Sequence, residues 1–259
     1  MEFENKVAII TGAADGIGKA VAVQMAEQGA SLVLAVKKTE ESKKTLEELK
    51  NITENVEFII GDLTKESVCK TVIATALNRY GHIDILVNNA GITGTPAPVH
   101  LMSEEMFRHV IDSNIMIAFY CSKLALPHMM KAKTGSIVNV ASVAGITGFP
   151  GHSAYVTSKH GLNGLTRNMA LDYAPYDIRV NSVNPGTTQT PMLDEAMEFL
   201  ANKRQNNQES SMMTGKTVSP QKRVASAEEV ANVICFLSSE KASNVTGAII
   251  PVDGGFTSF

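Results

Sequence analysis

The segment Val7-Ala-Ile-Ile-Thr-Gly-Ala-Ala-Asp-Gly-Ile-Gly18 decides the fold of this chain. Its first four residues, Val7 to Ile10, are apolar and predict a short buried strand, and a helical pattern follows from Ala20 to Gln28. The glycines between them are spaced G-x-x-x-G-x-G, one residue different from the G-x-G-x-x-G dinucleotide fingerprint. A phosphate-binding loop requires a strand, a glycine turn and a helix in this order, although a glycine turn alone can be an ordinary turn between two elements.

Each glycine has an expected use in such a loop. Gly12 permits the tight turn, Gly16 lets the backbone approach a pyrophosphate, and Gly18 lets the helix pack close to the strand. The helix presents free backbone N–H groups and the positive end of its dipole to the phosphates. We therefore expect a dinucleotide site at the carboxyl end of the first strand.

The rest of the chain alternates strands with helices. This pattern predicts one α/β domain over residues 1–259, with a doubly wound parallel sheet of about seven strands. The least regular stretch follows a strand end and is rich in methionine, so we expect a substrate lid over about 187–222, with an ordinary surface helix pair as the alternative. The other predicted strands are Ser31–Val36, Val56–Ile60, Ile83–Val87, Ser136–Val140, Ile178–Val183 and one that begins at Val245. The other predicted helices are Thr39–Lys50, Lys65–Tyr80 with Asp62 or Thr64 as its cap, one that begins at Ser103, one that is capped by Ser153 and ends near Tyr173, and one that begins at Ser226.

Composition narrows the class of protein. A hydrophobic content of 44% supports a sizeable core, and a net charge of −3 without a basic run argues against nucleic-acid binding. The cysteines Cys69, Cys121 and Cys235 are far apart, so we expect neither a metal site nor a disulfide framework. There is no signal-peptide pattern and no apolar run long enough to span a membrane, so a soluble cytoplasmic protein is expected.

A serine, a tyrosine and a lysine fall within one stretch of the chain. Ser142 follows a predicted strand, and Tyr155 and Lys159 lie one turn apart on one face of a predicted helix. The pKa of a free tyrosine is about 10, and a neighbouring ammonium lowers it. Tyr155 could then exchange a proton with an alcohol or carbonyl oxygen held by Ser142. Tyr-x-x-x-Lys also occurs by chance in helices with a solvated lysine, so this interpretation depends on the rest of the chain.

The end of the second strand bears on the choice of cofactor. An NAD-binding fold usually has a carboxylate there for the ribose 2′-hydroxyl, whereas this chain reads Val36-Lys37-Lys38. Lys37 could bind a 2′-phosphate, or both lysines could simply begin a solvated helix. Asp15, in the glycine loop, would repel a 2′-phosphate if it faces the ribose. The balance favours NADP(H) over NAD(H).

Polar residues follow other predicted strands. Asp62 could cap a helix or meet an adenine amino group, and Asn88-Asn89 suit hydrogen bonding at a strand end. Ala90-Gly91 allow close approach to a ligand. Asn114 lies among apolar residues, and a buried amide must be satisfied, either by a helix-bending hydrogen bond or as part of a water relay.

The ordered set of these motifs resembles the short-chain dehydrogenase/reductase family over the whole chain. The family has a Rossmann-type fold and uses a nicotinamide cofactor, and the resemblance implies both here. The residues that carry it are Thr11-Gly12-x-x-x-Gly16-Ile17-Gly18, Asp62-Leu63, Asn88-Asn89-Ala90-Gly91, Asn114, Ser142, Tyr155-x-x-x-Lys159, Asn184-Pro185-Gly186 and Thr190.

The resemblance implies a role for each residue. Tyr155 would be the general acid/base, Lys159 would bind the nicotinamide ribose and lower the pKa of Tyr155, and Ser142 would position the substrate oxygen. Asn114 would hold the water of a proton relay. Thr188 stands where the family usually has an aliphatic residue, so contact there is expected through the backbone. The implied cofactor contacts are Gly12, Gly16, Ile17 and Gly18 at the pyrophosphate, Asp62 and Leu63 at the adenine, Asn89 near the adenosine ribose, and Pro185, Gly186, Thr188 and Thr190 at the nicotinamide; Asp15, Lys37, Ala90 and Gly91 complete the candidate cofactor set.

The implied reaction is the reversible oxidation of a secondary alcohol to a ketone, on a lipophilic or cyclic substrate. A 3-oxoacyl-thioester reductase is the alternative within the class, although the negative charge gives little support for an acidic carrier protein. A non-catalytic cofactor sensor and a methyltransferase are the alternatives from other classes, and neither needs the Tyr-x-x-x-Lys pair. The resemblance also implies a homotetramer packed through the helices of Asn114 and Tyr155 and the last strand. His152 lines the pocket or lies on a surface loop.

Overall fold

The computed structural model describes residues 1–37, 39–205 and 219–258. One sheet of parallel strands forms its centre, in the order β3-β2-β1-β4-β5-β6-β7, which confirms the predicted fold class. The strands are Val7–Thr11 (β1), Ser31–Val36 (β2), Val56–Ile60 (β3), Ile85–Asn88 (β4), Gly135–Val140 (β5), Ile178–Pro185 (β6) and Ile249–Val252 (β7). The helices are Gly16–Glu27 (α1), Glu40–Ile52 (α2), Glu66–Tyr80 (α3), Glu104–Ile111 (α4), Ile117–Ala132 (α5), Ser153–Tyr173 (α6), Pro191–Gln205 (α7) and Ala227–Ser238 (α8).

The sheet is covered on both faces, and β1 shows how the sequence arranges this. Ala8 and Ile10 pack into the core that contains α1 and α8, whereas Val7 and Ile9 pack into the core that contains α3 and α5. Successive side chains of a strand point to opposite faces, so a continuous apolar run is what a strand buried on both faces needs.

Helix boundaries follow the predicted signals in some places and not in others. Ser103 and Ser226 accept hydrogen bonds from the backbone N–H groups of Met106 and Glu229, as expected of caps. The predicted cap of α3 is wrong, because Asp62 instead accepts hydrogen bonds from the hydroxyl and N–H of Thr64.

Two further predictions need correction. Ser153 is the first residue of α6 rather than its cap; His152 occupies the cap position, and its side chain makes no capping bond. The segment after β6 begins as the regular helix α7, with Pro191 at its first position, where proline is tolerated because no N–H partner is required. Some residues of the predicted second helix and of the predicted lid lie outside the described residues. They are Lys38, Met212, Met213 and the side chain of Leu200.

The helices are too short or too polar for a membrane: in the described part of the chain, none could cross a bilayer.

Candidate active site

The predicted site residues lie along one edge of the sheet. β1 is central, and the chain passes from it to β2 on one side and later to β4 on the other, so the order of the strands reverses between β1 and β4. Open α/β sheets bind ligands at such a point, beyond the carboxyl ends of their strands. The predicted residues follow six of these strand ends. In sheet order they are Asp62 and Leu63 after β3, Lys37 after β2, the glycine loop after β1, Asn89 to Gly91 after β4, Ser142 after β5, and Thr188 and Thr190 after β6, which itself ends with Pro185.

Close packing explains two of the glycines in the loop. Gly12 has a φ of +66°, and a β carbon there would come within 2.9 Å of the Ala90 Cα. A β carbon at Gly18 would collide with the Gly12 carbonyl oxygen and lie 2.6 Å from Asn89 Nδ2. The tight turn and the close helix packing predicted for Gly12 and Gly18 are therefore present.

The third glycine lies against the start of α7. Gly16 has a φ of +52°, and a β carbon there would lie 3.0 Å from Thr190 Cγ2. Asp15 precedes α1 but makes no side-chain capping bond, so its carboxylate leaves the first-turn N–H groups of the helix uncapped. These N–H groups and the nearby Thr190 can hold a phosphate between the loop and α7.

Asn89 and Thr11 tie the glycine loop to β4. Asn89 Nδ2 donates to the carbonyl oxygens of Thr11 (3.1 Å) and Gly12 (2.8 Å). The Thr11 hydroxyl oxygen accepts from the N–H groups of Asn89 and Ala90, both at 3.0 Å. The sequence analysis gave Thr11 no role of its own; a polar residue at the end of an apolar strand was the available signal.

Charges of both signs lie at the end of the sheet edge where the adenosine is expected. Hydrogen bonds from Thr64 lower the pKa of the exposed Asp62 carboxyl, and Lys65 and Lys37 add smaller effects in the same direction. Burial raises the pKa of Asp15, and the carboxylates of Glu41 and Glu195 raise it further. Lys37 is exposed, whereas Leu63 is buried. A cation and several carboxylates therefore surround the position expected for the adenosine ribose.

The structure brings Ser142, Tyr155 and Lys159 together. The Tyr155 hydroxyl is hydrogen-bonded to Ser142, whose Oγ also accepts from the Ala144 N–H at 3.1 Å. Lys159 is buried, its Nζ donates to the Val140 carbonyl oxygen at 2.9 Å, and it lies 5.6 Å from the centroid of the Tyr155 ring. The chance alternative, a solvated lysine, is thereby excluded.

Burial dominates the titration of this pair. It raises the pKa of Tyr155, and the hydrogen bond with Ser142 only partly opposes this, so the expected lowering is wrong in direction. Burial also lowers the pKa of Lys159 to about 8. At neutral pH the phenol is therefore protonated, and most of the lysine is still an ammonium.

Asn114 holds the chain segment that faces Lys159. It lies in a π-helical turn, Asp112–Met116, between α4 and α5. Its Oδ1 accepts from the Ile92 N–H at 2.8 Å, and its Nδ2 donates to the Ile92 carbonyl (2.9 Å) and to Ser158 Oγ (2.8 Å). The amide is satisfied by Ile92 and Ser158 on other segments rather than by a hydrogen bond within its own helix, and the water relay stays a prediction.

Two buried amide networks support the site from below. Asn163 donates to the Gly145 carbonyl and to Asn184, and accepts from the Ser182 hydroxyl. Asn88 donates to Asn139 and Ser122, linking β4 to β5 and α5. Buried hydrogen-bond networks of this kind fix backbone positions in a low-dielectric interior, although the Asn88 Oδ1 has no partner among the described residues.

A cavity of about 460 Å³ opens above Ser142, Tyr155 and Lys159. Of the predicted residues, those that line it are Ile17, Asn89, Gly91, Ser142, Tyr155, Lys159, Pro185, Gly186, Thr188 and Thr190. The other predicted residues do not line the cavity, because they lie behind it or farther along the sheet edge. They are Gly12, Asp15, Gly16, Gly18, Lys37, Asp62, Leu63, Ala90 and Asn114.

Several cavity residues were not predicted. Phe149 and Phe256 stack with ring centroids 5.8 Å apart, and Asp253 follows β7 at the same edge. Asp253 could have been found from its position, because it stands directly after a strand end, as Ser142 nearly does. The stacking could not be foreseen, because it joins residues 107 positions apart.

A family model described as enoyl-(acyl carrier protein) reductase matches residues 12–257. The chain belongs to the short-chain dehydrogenase/reductase family. The match spans all of the residues that line the cavity, from Ile17 to Phe256.

Individual relatives agree with this assignment. A 3beta-hydroxysteroid dehydrogenase of Mediterraneibacter gnavus is 36% identical and covers 99% of this chain and 96% of its own length. The 3-oxoacyl-[acyl-carrier-protein] reductase FabG of Thermotoga maritima is 38% identical, with 98% and 99% covered. The crystal structure of levodione reductase superposes with a TM-score of 0.91 at 33% identity and covers 98% of both chains.

The protein is therefore an NAD(P)-dependent oxidoreductase that acts on CH–OH groups and interconverts a secondary alcohol and a ketone. This overturns the two alternatives from other classes, the non-catalytic sensor and the methyltransferase.

Proposed function

We propose that Tyr155 is the general acid/base for this reaction, and that the substrate is a lipophilic ring alcohol or ketone. The observation that carries the proposal is the hydrogen-bonded pair of Tyr155 and Ser142, which lies beside the buried Lys159 ammonium and lines a largely apolar cavity. Acid/base work requires a proton-carrying group within hydrogen-bond reach of the substrate oxygen, and these hydroxyls supply two such groups.

The residues of the chain act on the substrate oxygen. In reduction, the protonated Tyr155 donates its proton to the carbonyl oxygen while Ser142 holds that oxygen by a hydrogen bond. In oxidation, Tyr155 must first lose its proton, and the ammonium of Lys159 favours that loss electrostatically. Asn114 positions Ile92, which lines the cavity, and so fixes the wall beside the reacting centre.

The residues present fit a nicotinamide dinucleotide. The uncapped first turn of α1 suits the pyrophosphate, and Lys159 and Thr190 line the cavity where a nicotinamide and its ribose would bind. The hydroxyl of Thr188 donates to the Gly186 carbonyl, and the Thr188 carbonyl accepts from the Thr190 hydroxyl, so the backbone N–H of Thr188 is the group proposed for the expected contact. When bound, the cofactor supplies the hydride donor or acceptor.

The preference for a ring rests on the walls of the cavity. Phe149 and Phe256 stack on one another, while Met192 and Met197 of α7 add adaptable apolar surface. A flat aromatic wall suits a compact apolar body, and the relative with a 3beta-hydroxysteroid activity acts on such a molecule. The lid expected over 187–222 stays a proposal, carried here by α7.

The test is turnover of 4-methylcyclohexanol with NADP⁺ or NAD⁺, followed by reduced-cofactor absorbance. We expect oxidation by the wild type and none above background by Tyr155→Phe. The proposal fails if the wild type oxidises no cyclic or acyclic secondary alcohol, or if Tyr155→Phe keeps full activity.

NADP(H) is the preferred cofactor in this proposal. Lys37 supplies a cation where the 2′-phosphate would lie, whereas Asp15, with Glu41 and Glu195 near it, opposes that phosphate. An exposed ion pair is worth about 1 kcal/mol or less, so the preference should be about fivefold. Fluorescence titration should show tighter NADPH than NADH binding, a loss of the difference in Lys37→Ala and an increase in Asp15→Asn. Tighter NADH binding by the wild type would reverse the assignment.

A 3-oxoacyl-thioester reductase is the second candidate, because FabG is among the similar proteins. An acetoacetyl thioester distinguishes the two activities. Faster reduction of this thioester than of a cyclic ketone would favour the second candidate.

We also infer a homotetramer in the cytoplasm. Phe119 on α5 and Leu171 on α6 leave apolar side chains exposed, which suits packing through these helices. The three cysteines are free thiols, which a reducing compartment preserves. Light scattering of the purified protein measures the assembly directly, and a monomer would contradict it.

A further inference from the structure

His152 is a cavity residue without an assigned task. It occupies the cap position of α6 and lines the cavity, and a backbone bridge to Ala97 holds its segment in place. Because its side chain does not cap the helix, helix capping does not account for it.

One nitrogen of the His152 ring is already used. Nδ1 lies 2.9 Å from the Pro150 carbonyl oxygen. A carbonyl can only accept, so Nδ1 carries the proton, and the neutral ring then has a lone pair on Nε2. Within the described part of the chain, no group donates to Nε2.

The other titratable groups that line the cavity are engaged. Tyr155 and Lys159 belong to the catalytic group. The Asp253 carboxylate accepts from the Gly255 N–H and from both the N–H and the hydroxyl of Thr257. Among the described titratable residues that line the cavity, His152 alone keeps an uncommitted polar atom.

His152 and Tyr155 lie close together in the sequence and line the same cavity. They stand three positions apart, His152 at the cap position of α6 and Tyr155 in its first turn. A substrate whose oxygen is bound at Tyr155 can therefore present a second polar group to His152.

We propose that His152 is a substrate-positioning residue whose Nε2 accepts a hydrogen bond from a second hydroxyl group on a ring substrate. The preferred substrates are then cyclic diols or hydroxyketones with the second hydroxyl across the ring, rather than simple ring alcohols. This inference rests on the proposed function of the same cavity.

The experiment compares cyclohexane-1,4-diol with 4-methylcyclohexanol, which replaces the distal hydroxyl by a methyl group of similar size. We measure kcat and KM for both with NADP⁺, correcting for the two reactive hydroxyls of the diol. The wild type should prefer the diol about five- to tenfold in kcat/KM, the worth of one hydrogen bond, and the difference should lie in KM.

Three variants separate positioning from structure. His152→Leu should abolish the preference for the diol and leave 4-methylcyclohexanol within about threefold, whereas His152→Gln, which keeps an acceptor, should restore part of it. His160→Leu is the matched control, because His160 is exposed on the same helix and its Nδ1 also contacts a backbone carbonyl, that of Val156. It should behave as the wild type.

The outcomes are distinct. If the wild type oxidises both substrates without preferring the diol, or if His152→Leu slows both equally, the assignment of His152 is wrong and the proposed function stands. If the wild type oxidises neither substrate nor any other secondary alcohol, the proposed function itself fails. Should His152→Leu not fold, the wild-type ratio and His152→Gln still decide.

Discussion

The cavity floor, which consists of Ser142, Tyr155 and Lys159, and helix α7, the proposed lid, line one cavity but are held by different forces. Lys159 is 4% exposed, and Asn114 behind it is 1% exposed, with both donor and acceptor atoms of its amide paired. On α7, Met192 and Met197 are 40% and 43% exposed, and their side chains have only packing to fix them.

This difference separates two tasks. Charge stabilisation requires dipoles and donors that do not move as the reaction proceeds, and buried hydrogen-bond networks provide that rigidity. Admission of a substrate requires a surface that can repack, and exposed methionines with few fixed contacts provide it. The floor should therefore determine the rate of the chemical step, and the lid should determine which substrate binds.

The largest effect should follow from removing the phenolic hydroxyl of the floor. Tyr155→Phe deletes the proton donor and keeps the ring, so we expect kcat to fall by about 10²–10⁴-fold. NADPH affinity, measured by fluorescence titration, should change less than threefold. A large loss of cofactor affinity would show that Tyr155 also holds the cofactor, and the separation of tasks would then need revision.

The next effect tests whether the floor depends on its buried amides. Asn114→Leu leaves the N–H and carbonyl of Ile92 without partners, which should lower the free energy of unfolding by about 2 kcal/mol. Urea unfolding measures this. The control is Asn168→Leu on α6, an exposed asparagine that bonds Asp172, and it should change stability by about 0.5 kcal/mol or less. Equal losses in both variants would contradict a special role for Asn114.

The sequence predicted the floor better than the lid, for physical reasons. The predicted bounds of β2 and β3 match the structure, since each is a short apolar run between turn residues. The motif around Tyr155 predicted that its side chains come together, because Ser142 follows the end of β5 while Tyr155 and Lys159 lie one turn apart on α6. The pKa direction of Tyr155 was wrong, because burial depends on contacts from the whole fold. Helix α7 was predicted only through the alternative of a surface helix pair, because its apolar and charged residues mix without a clear face.

A smaller effect should appear in the pH dependence of cofactor binding. The pKa of Lys159 is lowered from 10.5 to about 8, so its ammonium predominates below pH 8 and is lost above it. If the ammonium binds the nicotinamide ribose, NADPH affinity should fall by about tenfold as the pH rises one unit above that pKa. Lys159→Met should bind NADPH more weakly at pH 7 and show no such fall. A fall of the same size in Lys159→Met would assign it to another group.

The smallest effect should come from the lid. Met192→Ala removes an exposed, adaptable side chain from the cavity wall, so it should change the free energy of unfolding by about 0.5 kcal/mol or less. Because Met192 offers apolar surface to the substrate rather than to the reacting atoms, KM for 4-methylcyclohexanol should rise about two- to fivefold with kcat nearly unchanged. The matched control is Ile52→Ala at the end of α2, where the side chain is 37% exposed and does not line the cavity. It should leave both constants unchanged. A fall in kcat for Met192→Ala would mean that the lid also positions the reacting atoms, and floor and lid would then share one task.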